Sequence, residues 1–178
     1  MQQEPRIFLI GPMGAGKTSI GRQLARLAAI PFHDTDLYIQ QRTGVDIPLI
    51  FDIEGEAGFR RRETDALKHL SAESRWIIAT GGGAVLAEAN RRLMQERGHI
   101  VYLRAGVDAQ MRRTRRGRHR PLLETEDPAG RLRELFEDRD PLYGELADTI
   151  VETDRRNVRE VAREIARRLK LFAEGDLS

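Results

Sequence analysis

Residues 11–18, GPMGAGKT, constrain the fold of this chain more than any other segment, because they match G-x-x-x-x-G-K-[ST] at every fixed position. A short apolar run rich in β-forming residues, 6–10, precedes them, and apolar residues recur at helical spacing over 17–29. The pattern therefore lies between a predicted strand and a predicted helix, which is the setting of a phosphate-binding loop. We expect the backbone amides of residues 14–19 to point at phosphate oxygens, at the positive end of the helix.

This loop predicts a nucleoside triphosphate and Mg²⁺ as ligands. Lys17 would bridge the β- and γ-phosphates, and the hydroxyl of Thr18 would bind the metal ion. Lys17 is informative because only three of the 30 basic residues are lysines, so that arginine is otherwise the cation of this chain. The residues expected to contact the phosphates are Gly14, Ala15, Gly16, Lys17, Thr18 and Ser19.

Strand and helix patterns alternate along the rest of the chain. Further strands are predicted within 31–35 and over 76–79, 100–103 and 149–152. Helices are predicted over 17–29, 37–41, 47–51, 59–70, 84–97, 108–113, 129–138 and 158–172. Such alternation predicts an α/β fold with a five-stranded parallel sheet and helices on both faces. A length of 178 residues with no repeat or linker indicates a single domain, residues 1–178.

Composition argues against several classes of protein. The chain has no cysteine, which excludes disulfides and thiolate metal sites and points to a reducing cytoplasm. No apolar run reaches the ~18–20 residues that a membrane span needs, and the first residues lack a signal-peptide pattern. A net charge of +2 gives little support for nucleic-acid binding. We expect a soluble, cytoplasmic protein without a membrane or nucleic-acid partner.

Two aspartates, Asp34 and Asp36, follow the predicted second strand at the edge where parallel sheets collect their ligands. One of them could hold Mg²⁺, directly or through a water molecule, while the other accepts the proton of an attacking hydroxyl. The alternative is a structural role, because an aspartate in this position also suits the N-cap of the following helix. The residues alone leave both interpretations open.

A small acceptor molecule could be held by glycines and arginines further along. Gly81, Gly82 and Gly83 follow a predicted strand and permit close approach of the backbone to a ligand. Arg60 could pair with a substrate carboxylate, with Glu63 one helical turn later to orient its guanidinium. Residues 138–143, DRDPLY, are predicted to end one helix and begin another, which would present Arg139 at a helix terminus. Solvated arginines and a plain surface cap are the structural alternatives.

Residues 111–120, MRRTRRGRHR, carry six arginines in ten positions. A nucleic-acid surface would call for interleaved aromatic residues, which this segment lacks. A solvated basic run is the structural alternative. We favour a mobile lid over about 113–127 that brings an arginine to the transferred phosphate.

Taken together, these motifs resemble shikimate kinase over essentially the whole chain, from residue 6 to about 169. The matching segments are 11–18 with Gly21, 34–36, 51 with 54–56 and 58–63, 81–85, 120–123 and 139–143. The resemblance implies a P-loop fold of the nucleoside-monophosphate-kinase type. It also implies transfer of the γ-phosphate of ATP to the 3-hydroxyl of shikimate, a step toward chorismate and the aromatic amino acids.

The resemblance further implies a role for each candidate residue. Asp36 would contact the shikimate hydroxyls and act as general base, and Asp34 would belong to the Mg²⁺ shell through water. The expected shikimate-binding residues are Asp36, Arg60, Gly81, Gly82, Gly83 and Arg139. Arg120 would be the catalytic lid arginine, Arg113 would stack on adenine, and Arg156 would lie near the far side of the base. The substrates would be ATP and shikimate, and the protein would be a monomer. The alternatives are a gluconate-type sugar-acid kinase, a nucleotide-dependent nucleic-acid-binding or regulatory protein, and a catalytically inactive relative that only binds nucleotide.

Overall fold

The computed structural model describes residues 4–115 and 124–172, and these residues form a five-stranded, wholly parallel sheet in the order β2-β3-β1-β4-β5. The strands are β1 Arg6–Ile10, β2 Phe32–Asp34, β3 Trp76–Ala79, β4 His99–Arg104 and β5 Thr149–Glu152. Each predicted strand is therefore confirmed, and the predicted α/β fold with a parallel sheet is confirmed with them. Because β1 is the central strand, residues 11–16, which follow it, lie at the middle of the carboxyl edge of the sheet.

Helices cover both faces of the sheet. They are α1 Lys17–Ala28, α2 Thr35–Thr43, α3 Ile47–Leu70, α4 Glu88–Arg97, α5 Val107–Thr114, α6 Pro128–Leu146 and α7 Val158–Arg168. The apolar side chains of β1 alternate between two cores: Leu9 packs with residues of α1 and α7, and Phe8 packs with residues of α3, α4 and α6. Gly21 of α1 lies against the sheet, where an added Cβ would be 3.0 Å from Leu9 Cδ1. The lack of a side chain at Gly21 therefore lets α1 pack closely against the sheet.

The helix α6 departs most from the prediction. The sequence suggested a break around Pro141, but α6 runs through that residue from Pro128 to Leu146. Its buried residues recur every three or four positions: Leu132, Leu135, Arg139, Tyr143 and Leu146. Packing of α6 against α5, residues 84–86 and β4 outweighs the cost of an internal proline, which is about 3 kcal/mol and includes one lost helical hydrogen bond. Arg139 consequently lies in mid-helix and is buried, and its predicted place at a helix terminus is wrong.

Other boundaries differ for local reasons. The predicted helices over 47–51 and 59–70 form one element, α3, interrupted at Gly55, whose φ of 69° and ψ of 179° are not helical. The predicted helix over 84–97 is instead a short 3₁₀ turn, Ala84–Leu86, followed by an extended Ala87 and then α4. The last helix, α7, ends at Arg168 and does not reach residue 172. Among the helices in the described ranges, none is both long enough and apolar enough to cross a membrane.

Candidate active site

The glycine loop between β1 and α1 has a backbone that few other residues could adopt. Gly11, Gly14 and Gly16 have φ values of 147°, 77° and 89°, in the region that favours glycine. At Gly14 the backbone also passes close to α5, since an added Cβ would lie 3.2 Å from the backbone of Gln110. The motif glycines are therefore required by the path of the chain, which curls at the N-terminus of α1.

Lys17 is the first residue of α1, and its side chain folds back over this loop. Its Nζ atom donates hydrogen bonds to the carbonyl oxygens of Gly11, at 2.6 Å, and Pro12, at 2.8 Å. The ammonium group thus lies at the N-terminal end of a helix, where an anion is favoured. A phosphate bound there would meet both the helix end and the ammonium group of Lys17.

Thr18 and Asp34 join the glycine loop to the second strand. The Thr18 hydroxyl donates to Asp34 Oδ2 at 2.6 Å. The other carboxylate oxygen, Oδ1, accepts from the backbone amides of Asp36, at 2.9 Å, and Leu37, at 3.1 Å, and so caps α2. Asp34 therefore has the structural role that the sequence left open, and its second oxygen lies beside Thr18 at the same time.

These oxygens fit a magnesium site with few protein ligands. A hydroxyl and a carboxylate are hard oxygen donors, which Mg²⁺ prefers, and the ion commonly keeps several water molecules and substrate phosphates as its other ligands. No group of three or more histidine, aspartate or glutamate side chains in residues 4–115 and 124–172 could hold a metal ion. Thr18 and Asp34 could thus hold Mg²⁺ only together with water and the phosphates of a nucleotide.

Glu63 is a fully buried carboxylate at the acceptor side of the sheet edge. Its Oε1 accepts from Arg60 Nη1 at 2.9 Å, while its buried Oε2 has no hydrogen-bond partner. Burial raises the pKa of Glu63 to about 7; Arg60 opposes the increase, and the nearby Asp36 carboxylate adds to it. Burial also acts to lower the pKa of Arg60, but Glu63 and Glu56 together raise it. The Arg60 guanidinium is therefore firmly charged and held from two sides.

Charged side chains lie against two of the three glycines after β3, Gly81 and Gly83, and leave no room there for a side chain. A Cβ on Gly81 would collide with the Glu63 carboxylate, and one on Gly83 would collide with the Arg60 guanidinium. At Gly82 the same atom would lie 3.6 Å from Arg139 Nη1. The absence of side chains over 81–83 thus makes room for protein groups as well as for a ligand, an arrangement that the sequence did not reveal.

A cleft of about 760 Å³ runs along this edge of the sheet and gathers most of the predicted site. The predicted residues that line it are Gly14, Ala15, Gly16, Lys17, Thr18, Ser19, Asp34, Asp36, Gly81, Gly82, Arg113 and Arg156. Gly83, Arg60 and Arg139 are not part of the cleft wall that the described residues form. They lie behind residues 81–83, where Arg60 borders Gly83 and Arg139 borders Gly82.

Two of the predicted adenine-binding arginines are engaged with protein atoms. Arg113 Nη1 donates to the Gly14 carbonyl at 2.9 Å, and its guanidinium bonds the hydroxyl and carbonyl of Thr153. Arg156 pairs with Glu164 at 2.5 Å. Thr153, buried and in the cleft wall, was not singled out from the sequence, because one threonine after a strand carries no distinctive signal. Arg120 and residues 116–123 of the predicted lid lie outside the described residues.

A parallel sheet, a G-x-x-x-x-G-K-[ST] loop at its central strand and facing carboxylates define a P-loop phosphotransferase. The sequence profile described as shikimate kinase matches residues 13–170. The shikimate kinase of Thioalkalivibrio sulfidiphilus is 54% identical over 167 residues, covering 94% of this chain and 88% of that protein. That of Halorhodospira halophila is 53% identical over 165 residues, covering 93% of each. The chain therefore belongs to the shikimate kinase family and is an ATP-dependent kinase, which confirms the predicted resemblance.

Solved structures give the same result. The shikimate kinase of Acinetobacter baumannii, solved in complex with shikimate, superimposes with a TM-score of 0.92 at 44% identity, covering 99% of this chain and 97% of that one. A gluconokinase from Sinorhizobium meliloti has a TM-score of 0.60 at 16% identity and covers 96% of this chain and 98% of that one. The second likeness extends to the fold alone, so it gives no support to the sugar-acid kinase that the sequence left as an alternative.

Proposed function

We propose that this chain transfers the γ-phosphate of ATP to the 3-hydroxyl of shikimate, giving shikimate 3-phosphate and ADP. One observation carries the assignment beyond family membership: the phosphate loop, the Thr18–Asp34 pair and the Asp36–Gly81 edge share a single cleft. A nucleotide on the loop and an acceptor beside Asp36 would therefore meet in that cleft. Two buried or half-buried arginines, Arg60 and Arg139, supply positive charge behind the acceptor side.

Catalysis at the phosphate side would consist of alignment and charge stabilisation, because the transferred phosphoryl group needs little covalent help. Lys17 would leave its loop carbonyls for the β- and γ-phosphates, where its ammonium meets the developing negative charge. Thr18 and, through a water molecule, Asp34 would hold Mg²⁺, which neutralises phosphate charge when it is bound. The hydrogen bond from Thr18 to Asp34 supports this assignment, since it already brings the two oxygens to 2.6 Å.

Shikimate would be oriented by its carboxylate and its hydroxyls. Arg60 and Arg139 would bind the carboxylate, and Gly81, Gly82 and Gly83 would form the wall of the pocket. Asp36 would accept the proton of the attacking 3-hydroxyl. The proposal is supported by the position of Asp36 in the cleft wall and by the buried Glu63, which fixes the Arg60 guanidinium from the protein side.

The remaining sequence predictions belong to the same proposal. Arg113 and Arg156 would border the adenine, and Arg120 would reach the phosphates from a lid over about 113–127. Residues 34–63 would form the acceptor-binding region of one domain, 1–178. We further propose a cytoplasmic monomer with ATP and shikimate as its only small-molecule substrates.

ADP release by the purified protein tests this function directly. The assay compares no acceptor, shikimate and gluconate in the presence of ATP and Mg²⁺. Lys17→Ala is the inactive control, and Lys68→Ala, which changes an exposed lysine of α3, is its matched control. We expect ADP release that depends on shikimate, is lost in Lys17→Ala and is retained in Lys68→Ala. Release with gluconate alone, or none with either acid, would overturn the proposal.

A further inference from the structure

Tyr143 of α6 links two parts of the acceptor side that come from distant positions in the chain. Its side chain is buried, with 1% of the residue exposed, and its hydroxyl donates a hydrogen bond to the carbonyl oxygen of Gly82. The Arg139 guanidinium, one turn earlier on the helix, acts to lower the pKa of this hydroxyl through its charge, and its Nη1 would lie 3.6 Å from a Cβ on Gly82. The hydroxyl therefore contacts the middle of residues 81–83 and lies near an arginine of the proposed acceptor site.

The carbonyl of Gly82 depends on this contact more than its neighbours do. The Gly81 carbonyl accepts from the Ala84 amide, and the Gly83 carbonyl accepts from the Leu86 amide, both at 3.1 Å within the following turn. The Gly82 carbonyl has Tyr143 as its partner among the hydrogen bonds of the described residues. Three consecutive glycines restrict the backbone very little by themselves, so this bond fixes the orientation of the middle peptide.

The Tyr143 hydroxyl is protonated at neutral pH, as a tyrosine in water is, and burial strengthens its hold on the proton. Desolvation raises the pKa of Tyr143 to about 12, although the charge of Arg139 opposes the increase. The phenol can thus donate to Gly82 and accept from Arg139 at the same time. Its ring is held by Tyr102 of β4, whose centroid lies 4.9 Å away.

We infer that Tyr143 is a positioning residue for the acceptor, which sets the Gly82 peptide and the Arg139 guanidinium relative to each other so that both meet the acid substrate. It acts through Gly82 and Arg139. The inference rests on the proposed function for the identity of the acceptor. It predicts that loss of the hydroxyl weakens the use of shikimate while leaving the use of ATP unchanged.

Tyr102 supplies a matched control within the same aromatic pair. It is equally buried, with 1% of the residue exposed, and its hydroxyl donates to Asp140 Oδ1 at 2.6 Å. Tyr102→Phe therefore removes a buried tyrosine hydroxyl from the same aromatic pair without removing a contact to Gly82. A purely structural role for Tyr143 would make the two phenylalanine variants alike in catalysis.

The experiment measures kcat and the KM values for shikimate and ATP in the wild type, Tyr143→Phe and Tyr102→Phe, with the melting temperature of each. Because Tyr143→Phe leaves a buried carbonyl without its partner and frees Arg139, we expect the KM for shikimate to rise about tenfold. The KM for ATP should stay within about twofold, and Tyr102→Phe should leave both within about twofold. Melting temperatures should fall by similar amounts in the two variants.

Several outcomes would overturn the inference. They are an unchanged KM for shikimate in Tyr143→Phe, an equal rise for both substrates, or the same rise in Tyr102→Phe. A double-mutant cycle with Arg139→Lys adds a second test, since additive effects on the KM for shikimate would exclude action through Arg139. A wild-type protein that does not phosphorylate shikimate would refute the proposed function, and the inference with it. A wild-type protein that does so while Tyr143→Phe matches it would refute the inference alone.

Discussion

Glu63→Gln should remove a pH dependence from the stability of this protein. In the folded chain the pKa of Glu63 is raised to about 7 by burial, against a value of 4.5 without that environment. Between these two pH values the folded chain holds a proton that the unfolded chain has already released. The free energy of unfolding therefore includes a contribution that is complete below pH 4.5 and is lost as the pH rises through 7. Glutamine cannot ionise, so the free energy of unfolding of the variant should not fall in this way as the pH rises.

The size of the effect follows from the two pKa values. One pKa unit corresponds to about 1.36 kcal/mol, so the interval from 4.5 to about 7 is worth about 3 kcal/mol in total. Between pH 5 and pH 8 the wild type should lose about 2 kcal/mol or more of this stability relative to Glu63→Gln. Such a difference is large beside the 5–15 kcal/mol that typically stabilise a domain.

Urea unfolding at pH 5, 6, 7 and 8 would measure the free energy of unfolding of the wild type and of Glu63→Gln. The fluorescence of the single, fully buried Trp76 is the signal. Glu56→Gln is the matched control, because Glu56 pairs with the same Arg60 at 3.2 Å while its side chain is 53% exposed. We expect Glu56→Gln to follow the wild type within about 0.5 kcal/mol at every pH. Parallel curves for the wild type and Glu63→Gln would refute the reasoning that burial controls the titration of Glu63.

Three further predictions concern the proposed chemistry. Asp36→Asn should lower kcat at least about 100-fold while the KM for ATP stays near its wild-type value, and retained turnover would remove Asp36 from the role of base. Thr18→Val removes the hydroxyl that bonds Asp34 and should raise the Mg²⁺ concentration for half-maximal rate several-fold; an unchanged magnesium titration would contradict the metal assignment. Gly83→Ala places a methyl group against the Arg60 guanidinium and should raise the KM for shikimate about tenfold, whereas kinetics equal to the wild type would mean that Arg60 can move aside without loss.

The sequence predicted the parts of the fold that depend on local pattern. The strands Trp76–Ala79 and Thr149–Glu152 were predicted to the residue, since short apolar runs bounded by turns contain their own limits. The continuity of α6 through Pro141 was missed, because it depends on the burial of residues on both sides of the proline, where α6 packs against α5, residues 84–86 and β4. Local propensity cannot include that contribution.

The site was predicted unevenly for a similar reason. The phosphate loop is continuous in sequence, so its residues were found together. The environment of Glu63 was not predictable, because its burial requires α3, α6 and residues 81–83 to converge on one carboxylate. The link from Tyr143 to Gly82 joins positions 61 residues apart, and the spacing of four between Arg139 and Tyr143 was its one local sign.

The space beside Gly81 and Gly83 has a consequence for how this pocket can evolve. The Glu63 and Arg60 side chains occupy the volume that a Cβ at Gly81 or Gly83 would need, so the side chain tolerated at one position of each pair depends on its partner. Homologous sequences should therefore show correlated substitutions: a larger residue at position 81 or 83 should accompany a smaller one at position 63 or 60. Directed evolution toward another acid acceptor would meet the same coupling, and libraries that vary the four positions jointly should yield folded variants that single-site libraries do not contain.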